Sequence, residues 1–204
     1  MRYNELTFQG RNAVLEAFRS GKTIDKLFIL DGCQDGPIKS IVREAKKTDA
    51  IINYVDKERL DRLAGTGHHQ GVVAIGAAYE YAEVEDILAA AKEKGEDPFI
   101  FILDEIEDPH NLGAIIRTAN LAGAHGVIIP KRRAVGLTAT VAKTSAGAIN
   151  YTPVAKVTNI SQTIEELKKQ GLWFVCADMG GETMYDLNLK GPIGLVIGNE
   201  GNGV

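Results

Sequence analysis

Hydrophobic residues along the chain follow two alternating spacings, one typical of strands and one typical of helices. Short apolar runs of five or six residues suit buried strands, and stretches with apolar residues three or four positions apart suit amphipathic helices. The two patterns succeed one another over most of the 204 residues. Because parallel strands need long crossover connections, this alternation predicts an α/β fold built from parallel βαβ units.

The predicted elements form two groups. The first group has helices at 10–21, 36–50 and 57–65 and strands at 26–30, 51–55 and 71–78. The second group has strands at 99–104, 126–130, 152–157, 172–177 and 193–198 and helices at 111–123, 137–148 and 160–170. We therefore predict a small N-terminal α/β domain over 1–75, an acidic linking helix over 76–97 and a second α/β domain with a parallel sheet over 98–204.

The helix predicted at 111–123 follows the apolar strand FIFILD directly. We predict Asn111 as its N-cap and Gly123 as its stop, since both residue types are favoured at those places. Its one basic residue, Arg117, would then stand near the carboxyl edge of the sheet, where ligands bind in parallel sheets. At that place Arg117 can either pair with Asp104 or Asp108 or face a ligand.

The formal net charge of −4 is unevenly distributed along the chain. Residues 76–97 carry a net charge of −5, whereas residues 109–164 contain six Lys or Arg and no Asp or Glu. A local cationic region on a nearly neutral protein is the kind of surface that a phosphate backbone requires. The charge pattern therefore favours a nucleic-acid partner despite the negative total.

Several classes of protein lose their usual sequence signals. The chain has no apolar run near the ~18 residues of a membrane span and no apolar signal-peptide core, so we expect a cytoplasmic protein with no membrane partner. The motifs of P-loop kinases, zinc proteases and serine hydrolases are missing. Cys33 and Cys176 form no CxxC pair, and the adjacent His68 and His69 lack the further ligands of a metal site, so we expect reduced thiols and no metal.

The segment GNEGNGV at 198–204 places a glycine-rich loop after the last predicted strand. A dinucleotide-binding fingerprint would instead place its glycines after the first strand of the domain, which argues against a nicotinamide-dependent oxidoreductase. Glycines in such a loop still permit the backbone to approach a ligand closely.

Two long motifs, LDEIEDPHNLGAIIRTA and LVIGNEGNGV, resemble the first two signature motifs of the SpoU family of RNA ribose 2′-O-methyltransferases, the TrmH-like branch of the SPOUT superfamily. The shorter segments KTSAGA, GRNAVLEAF and HHQGVVA also look like that family. The resemblance covers essentially the whole chain and is closest to bacterial enzymes that methylate a guanosine ribose in 23S ribosomal RNA. It implies S-adenosylmethionine as cofactor, a ribosomal-protein-like RNA-binding domain at the N-terminus, and a homodimeric catalytic domain with a trefoil knot.

The resemblance also implies the residues of the catalytic site. Arg117 would lie at the reacting hydroxyl, and Asn111 and Glu200 would belong to the same site, with Glu200 holding Asn111 or Arg117. Arg117 could act as general base or as a stabiliser of the developing negative charge. A guanidinium pKa above about 12 weighs against the base, but the sequence leaves both roles open.

Two further sets of residues follow from the resemblance. The cofactor is expected over Ala177, Asp178, Met179, Ile197 and Gly198. RNA phosphates are expected at Arg11, Lys131, Arg132, Arg133 and Lys143.

The family has a third motif, a segment with Ser-Leu-Asn some tens of residues after the second, and the sequence stops at Val204 before it could occur. The resemblance implies that this segment helps to build the cofactor pocket and closes the knot, so we expect residues 1–204 alone to bind S-adenosylmethionine weakly. Two alternatives remain open at this point, a transfer-RNA 2′-O-methyltransferase and a non-catalytic RNA-binding protein of the same fold.

Overall fold

The computed structural model describes residues 6–48, 50–65, 67–199, 201 and 203. The chain divides into two compact units, one comprising the chain up to Glu80 with Gly136–Ala139, and the other comprising Tyr81–Val135 with the chain from Thr140 onward. Within the first unit, the Leu137 carbonyl accepts a hydrogen bond from the Ala78 N–H at 2.8 Å.

The first unit is a four-stranded mixed sheet flanked by three helices. Its elements in chain order are β1 (Leu6–Gln9), α1 (Arg11–Arg19), β2 (Ile24–Leu30), α2 (Gly36–Ala45), β3 (Ile51–Val55), α3 (Lys57–Ala64) and β4 (Val72–Gly76). The strand order is β1-β4-β2-β3, and only β2 and β3 run parallel. The sequence pattern did not predict β1, since a four-residue edge strand shows too little alternation to register.

The core of the first unit lies on both faces of its sheet. On one face, α1 and α2 pack on Leu27, Ile29 and Val72, and on the other face Leu60 of α3 packs on Phe28 and Val73. Adjacent residues of a strand point to opposite faces, so both faces of the central strands can be apolar and covered.

The second unit is a five-stranded, entirely parallel sheet. Its elements are α4 (Val84–Lys94), β5 (Phe99–Leu103), α5 (Pro109–Leu121), β6 (Gly126–Pro130), α6 (Ala139–Thr144), β7 (Val154–Val157), α7 (Ile160–Lys169), β8 (Trp173–Ala177) and β9 (Ile193–Ile197). The strand order is β7-β6-β5-β9-β8. The predicted α/β class with a parallel sheet is therefore confirmed.

The helix α4 belongs to the second unit, whereas its residues were predicted to form an acidic linking helix. Ile87 of α4 is fully buried and packs with Ile100, Ile128 and Leu167 of the second core. The many charges of this segment disguised an amphipathic helix, because they occupy its solvent face and leave a narrow apolar stripe.

Strand order reverses between β5 and β9. From β5 the chain proceeds through β6 to β7 at one edge, then crosses to β8 at the other edge and returns to β9 beside β5. The two strands pair over their whole length, from Phe99 with Ile193 to Leu103 with Ile197. The crevice at the carboxyl ends of strands at such a reversal is the usual ligand site of an open α/β sheet.

The first turn of α5 differs from the prediction. The N-cap is Asp108, whose carboxylate accepts a hydrogen bond from the His110 N–H at 2.7 Å, and Pro109 begins the helix. Proline suits this position because its fixed φ is helical and it lacks the N–H that would go unpaired. Asn111 therefore lies inside the helix and is free to serve a different purpose from capping.

Candidate functional site

A cleft of about 480 Å³ lies at the reversal of strand order. It is lined by Ile106, Glu107, Asp108, Asn111, Asn199 and Gly201. The first four residues follow β5 and the last two follow β9, so the fold brings the two long sequence motifs to one place.

Asn199 ties the glycine-rich loop to the loop after β5. Its side-chain amide donates a hydrogen bond to the carbonyl of Glu105 at 3.0 Å, and its Oδ1 accepts from the N–H of Gly201 at 2.8 Å. The backbones of Asn199 and Gly203 also exchange two hydrogen bonds. Asn199 was not among the site residues predicted from sequence, although a polar side chain within a glycine-rich turn is a recognisable signal.

Glu105 also connects the loop after β5 to the loop after β6. Its carboxylate accepts a hydrogen bond from Nη1 of Arg133 at 2.7 Å, and the Val135 N–H donates to the Ile106 carbonyl at 3.0 Å. The hydrogen bond to Glu105, together with the carboxylates of Glu105 and Glu107, raises the pKa of Arg133 above its ordinary value. Glu105 was not among the residues predicted from sequence, because an acid before a helix carries no specific signal of such a role.

Arg117 is exposed on α5, and its side chain makes no hydrogen bond or ion pair with any residue that the structure describes. The pairing with Asp104 or Asp108 is therefore not formed. Arg117 and Asn111 are six positions apart, which places them roughly 9 Å apart along the axis and about a third of a turn apart around it. Asn111 lines the cleft, and Arg117 lies further along the same helix and is not among the described lining residues.

The segment KTSAGA packs on the helix that carries Asn111 and Arg117. The Thr144 hydroxyl at the end of α6 donates a hydrogen bond to the Pro109 carbonyl at the start of α5, over 3.2 Å. Lys143 beside it is exposed.

The residues expected to bind the cofactor lie at the carboxyl ends of β8 and β9. Ala177 pairs with Ile197 in register, Ala177, Asp178 and Met179 are exposed, and Ile197 and Gly198 are half-buried. Exposed apolar side chains beside one carboxylate fit an adenosine, because the base needs an apolar surface and the ribose hydroxyls need an acceptor. Glu200 lies outside the described residues.

The expected RNA contacts fall in both units. Lys131 follows β6 and donates its N–H to the Val157 carbonyl at 2.8 Å, while the exposed side chain of Arg132 has no partner among the described residues. In the first unit, Arg11 forms an ion pair with Asp35 and donates from Nε to the Gln70 carbonyl at 3.2 Å. Arg11 thus organises the loop around Gln70 in addition to any contact with RNA.

The histidine pair of the first unit does not resemble a metal site. His69 is buried, its Nδ1 accepts the Gly71 N–H at 3.0 Å, and its Nε2 lies 2.9 Å from an Asp61 carboxylate oxygen. Within the described part of the chain, no three His, Cys, Asp or Glu side chains are grouped as metal ligands would be. None of the helices described there has the length and apolarity to span a bilayer.

Two known protein families match the chain, one for each group of predicted elements. The RNA 2′-O ribose methyltransferase substrate-binding family matches residues 9–82, and the SpoU rRNA methylase family matches residues 98–204. A Bacillus subtilis (strain 168) protein that bears the name TrmH family tRNA/rRNA methyltransferase YacO is 51% identical over 96% of this chain and 78% of its own length. A Staphylococcus haemolyticus (strain JCSC1435) protein with the same family name is 46% identical over 98% of this chain and 80% of its own length.

Solved structures share the fold at lower identity. The SpoU methyltransferase AviRb from Streptomyces viridochromogenes, in complex with AdoMet, has a TM-score of 0.55 and 21% identity over 98% of this chain and 75% of its own. An rRNA methyltransferase from Sinorhizobium meliloti has a TM-score of 0.53 and 23% identity over 99% of this chain and 74% of its own. The chain therefore belongs to the SpoU (TrmH-like) family of S-adenosylmethionine-dependent RNA methyltransferases, which is the family that the two long motifs predicted.

Proposed function

We propose that the protein methylates the ribose 2′-hydroxyl of a guanosine in 23S ribosomal RNA and acts as a homodimer in the cytoplasm. The observation that carries this proposal is the cleft at the β5–β9 reversal, where Asn111 of one motif meets Asn199 and Gly201 of the other. A site assembled from both motifs of an RNA methyltransferase family is the natural place for the reaction of that family.

The two units would have separate functions, RNA binding in the first and methyl transfer in the second. We assign substrate RNA binding to the first unit, since the substrate-binding family matches residues 9–82 and the unit has its own sheet and core. Methyl transfer belongs to the second unit, which contains the cleft and the parallel sheet. A ribosomal target is preferred to transfer RNA because a separate RNA-binding unit suits a large, structured substrate.

Methyl transfer from S-adenosylmethionine requires that the protein align the reacting groups rather than activate the methyl donor. S-adenosylmethionine, when bound, supplies a methyl carbon that its sulfonium already activates. The protein must hold the 2′-oxygen in line and stabilise the negative charge that develops on it. We assign the charge stabilisation to Arg117, which also orients the adjacent phosphate, because a guanidinium stays protonated in proteins and so is a poor base.

The remaining site residues keep the roles that family membership suggests. Asn111 offers its amide to the ribose at the cleft, and Glu200 would hold Asn111 or Arg117. The cofactor would lie over the exposed end of β8 and the neighbouring end of β9, at Ala177, Asp178, Met179, Ile197 and Gly198.

The cationic residues would bind phosphates with unequal strength. Arg132 has no described carboxylate partner, so its whole charge is available to RNA. Arg133 and Arg11 already face Glu105 and Asp35, and RNA would have to share them with those carboxylates. Lys131 and Lys143 complete the set in the second unit, at the start of the loop after β6 and on α6 respectively.

A methyl-transfer assay with tritium-labelled S-adenosylmethionine tests the proposal. Two RNA pools are compared, 23S ribosomal RNA and bulk transfer RNA, each from cells that lack the protein, and the labelled nucleotide is mapped. Label on a guanosine 2′-oxygen of the ribosomal RNA supports the proposal. Label on transfer RNA alone favours a transfer-RNA 2′-O-methyltransferase, a candidate that the tRNA/rRNA names of the relatives suggest. Cofactor binding without label on either pool indicates a non-catalytic RNA-binding protein.

A further inference from the structure

Glu105 is the meeting point of three loops in the second unit. Its carbonyl oxygen accepts the hydrogen bond from Asn199 in the loop after β9, and its carboxylate accepts the hydrogen bond from Arg133 in the loop after β6. Glu105 itself stands at the second position after β5. One residue therefore connects the glycine-rich loop after β9, the cleft, and the loop after β6 that carries Lys131, Arg132 and Arg133.

We propose that Glu105 is a positioning residue for methyl transfer, which holds the Arg133 guanidinium at a fixed place beside the cleft so that a bound RNA phosphate is held in register with the reacting ribose. The proposal rests on the proposed function, because it concerns the RNA that the cleft would methylate.

The backbone at both ends of this ion pair supports a positioning role. Glu105 has φ = +55° and Arg133 has φ = +54°, and they are two of the four non-glycine residues with positive φ in the described part of the chain. Residues with a β carbon avoid this region, and when they adopt it at a site, the surrounding structure has to hold them there. Two such residues joined by one ion pair indicate a local geometry maintained for a purpose other than stability.

The exposure of the pair points the same way. The Arg133 side chain is 76% exposed and the Glu105 side chain 32%, and ion pairs so open to solvent contribute little to the free energy of unfolding. Glu105 engages only Nη1 of Arg133, so the other N–H groups of the guanidinium make no hydrogen bond to a described residue. An arginine can hold a carboxylate with one side of its fork and a phosphate with the other.

The deciding experiment compares Glu105→Gln with wild type in methyl transfer to 23S ribosomal RNA. We expect kcat to fall about tenfold, because a small misplacement of a positioned group is costly in rate. The KM for RNA should stay the same or fall, since Arg133 loses a competing carboxylate, and the affinity for S-adenosylmethionine should stay within about twofold because the Glu105 carbonyl still holds Asn199.

Three further variants separate the carboxylate from its surroundings. Glu105→Gly removes the side chain but still permits the left-handed backbone, and Arg133→Gln removes the partner. Each of these variants should lower kcat about as much as Glu105→Gln does. The double variant Glu105→Gln/Arg133→Gln should have a kcat no lower than that of either single variant, because both changes break the same ion pair. The matched control is Glu165→Gln, which breaks an equally short exposed pair with Lys168 at 2.7 Å on α7 and should leave kcat unchanged.

A second readout does not depend on turnover. In Glu105→Gln, the dependence of RNA affinity on salt should steepen by about one phosphate contact, because the released Arg133 can neutralise a phosphate fully. The proposal would be overturned if Glu105→Gln kept the wild-type kcat. It would also be overturned if the kcat of the double variant fell by the product of the two single-variant losses. If the wild-type protein methylates none of this RNA, the proposed function is wrong, whatever the variants show. In that case the salt dependence of RNA binding still tests Glu105, and an unaltered salt slope in Glu105→Gln would overturn its positioning role as well.

Discussion

Gly113 of α5 lies against Thr144 of α6 so closely that a β carbon at Gly113 would stand 1.9 Å from the Thr144 hydroxyl oxygen and 2.8 Å from its β carbon. Neither distance is compatible with van der Waals contact. The absence of a side chain at this one position lets the two helices approach, and Thr144 uses the approach to reach the Pro109 carbonyl. The glycine of the first motif is therefore a packing residue that sets the start of the helix bearing Asn111 and Arg117.

We expect Gly113→Ala to lower the free energy of unfolding by about 1–3 kcal/mol, the usual cost of overpacking a filled core. Urea denaturation followed by circular dichroism measures this change. The matched control is Gly36→Ala in α2, where a new β carbon meets nothing within 4 Å, so this variant should be neutral or slightly more stable. Equal stabilities of the two variants would show that α6 moves away from α5 at little cost.

Arg117→Ala should lower kcat by about 10²–10³-fold, the typical loss on removal of one group that stabilises developing charge. The exposed Arg117 has no described partner, so the variant should keep the wild-type unfolding free energy and its affinity for S-adenosylmethionine. Lys92→Ala, at an exposed cation on α4, serves as control in the same assay. A kcat within threefold of wild type would remove Arg117 from the catalytic site.

Charge reversal at Arg132 should weaken RNA binding more than reversal at Arg133. Arg132 has no described carboxylate beside it, whereas Arg133 is shared with Glu105, so Arg132→Glu removes the more available charge. Filter binding at several salt concentrations should show a flatter slope for Arg132→Glu, because fewer counterions are released. Reversal of Lys169 on α7 is the control, and a slope equal to wild type in Arg132→Glu would place the RNA elsewhere.

His125 connects the end of α4 to the sheet in the second unit. Its ring is buried, its Nδ1 accepts the Phe99 N–H at 3.1 Å, and its Nε2 lies 3.0 Å from a Glu96 carboxylate oxygen. We expect His125→Phe to lower the free energy of unfolding by about 1–3 kcal/mol, since the Phe99 N–H would lose its acceptor inside the protein.

The control for His125 is Glu96→Gln, which keeps an oxygen acceptor for Nε2 and should change the unfolding free energy by less than about 1 kcal/mol. Urea denaturation of both variants and of the wild-type protein measures these differences in unfolding free energy. If His125→Phe were as stable as Glu96→Gln, the Phe99 N–H would have found another acceptor.

The ion pair of the half-buried Glu44 and the exposed Lys47 in the first unit predicts a pH dependence of known sign. The hydrogen bond from Lys47 lowers the pKa of Glu44, with smaller contributions from the charges of Lys47, Arg43 and Arg19. A carboxyl whose pKa is lower in the folded state stabilises the fold above its unfolded pKa, and this stabilisation is lost as the pH falls through the folded pKa.

Carbon-13 NMR titration of Glu44 should therefore show its pKa rise towards the ordinary value in Lys47→Met. The small difference in unfolding free energy between wild type and this variant should be present at neutral pH and vanish in acid. A Glu44 pKa that is identical in both proteins would mean that the pair does not form in solution.

Local sequence determined most of the elements of this protein, though not the short edge strand β1, and the positions of its motifs. β3 and β6 were predicted at their observed bounds, because short apolar runs flanked by charged residues or turns leave one possible strand. The placement of Arg117 on the helix after β5 also followed from sequence, since a strand, a turn and an amphipathic helix are each encoded within a few residues. The errors were local as well, such as choosing Asn111 over Asp108 as the N-cap.

The tertiary structure decided what these elements bring together. The order of the parallel strands places the loop after β9 next to the loop after β5, and only then can Asn199 reach Glu105 across 94 positions of sequence. The burial of Ile87 likewise depends on the sheet that α4 covers. Periodicity reports which face of an element is apolar, but not which other element will cover that face, because the packing energy that selects the partner arises only when distant segments meet.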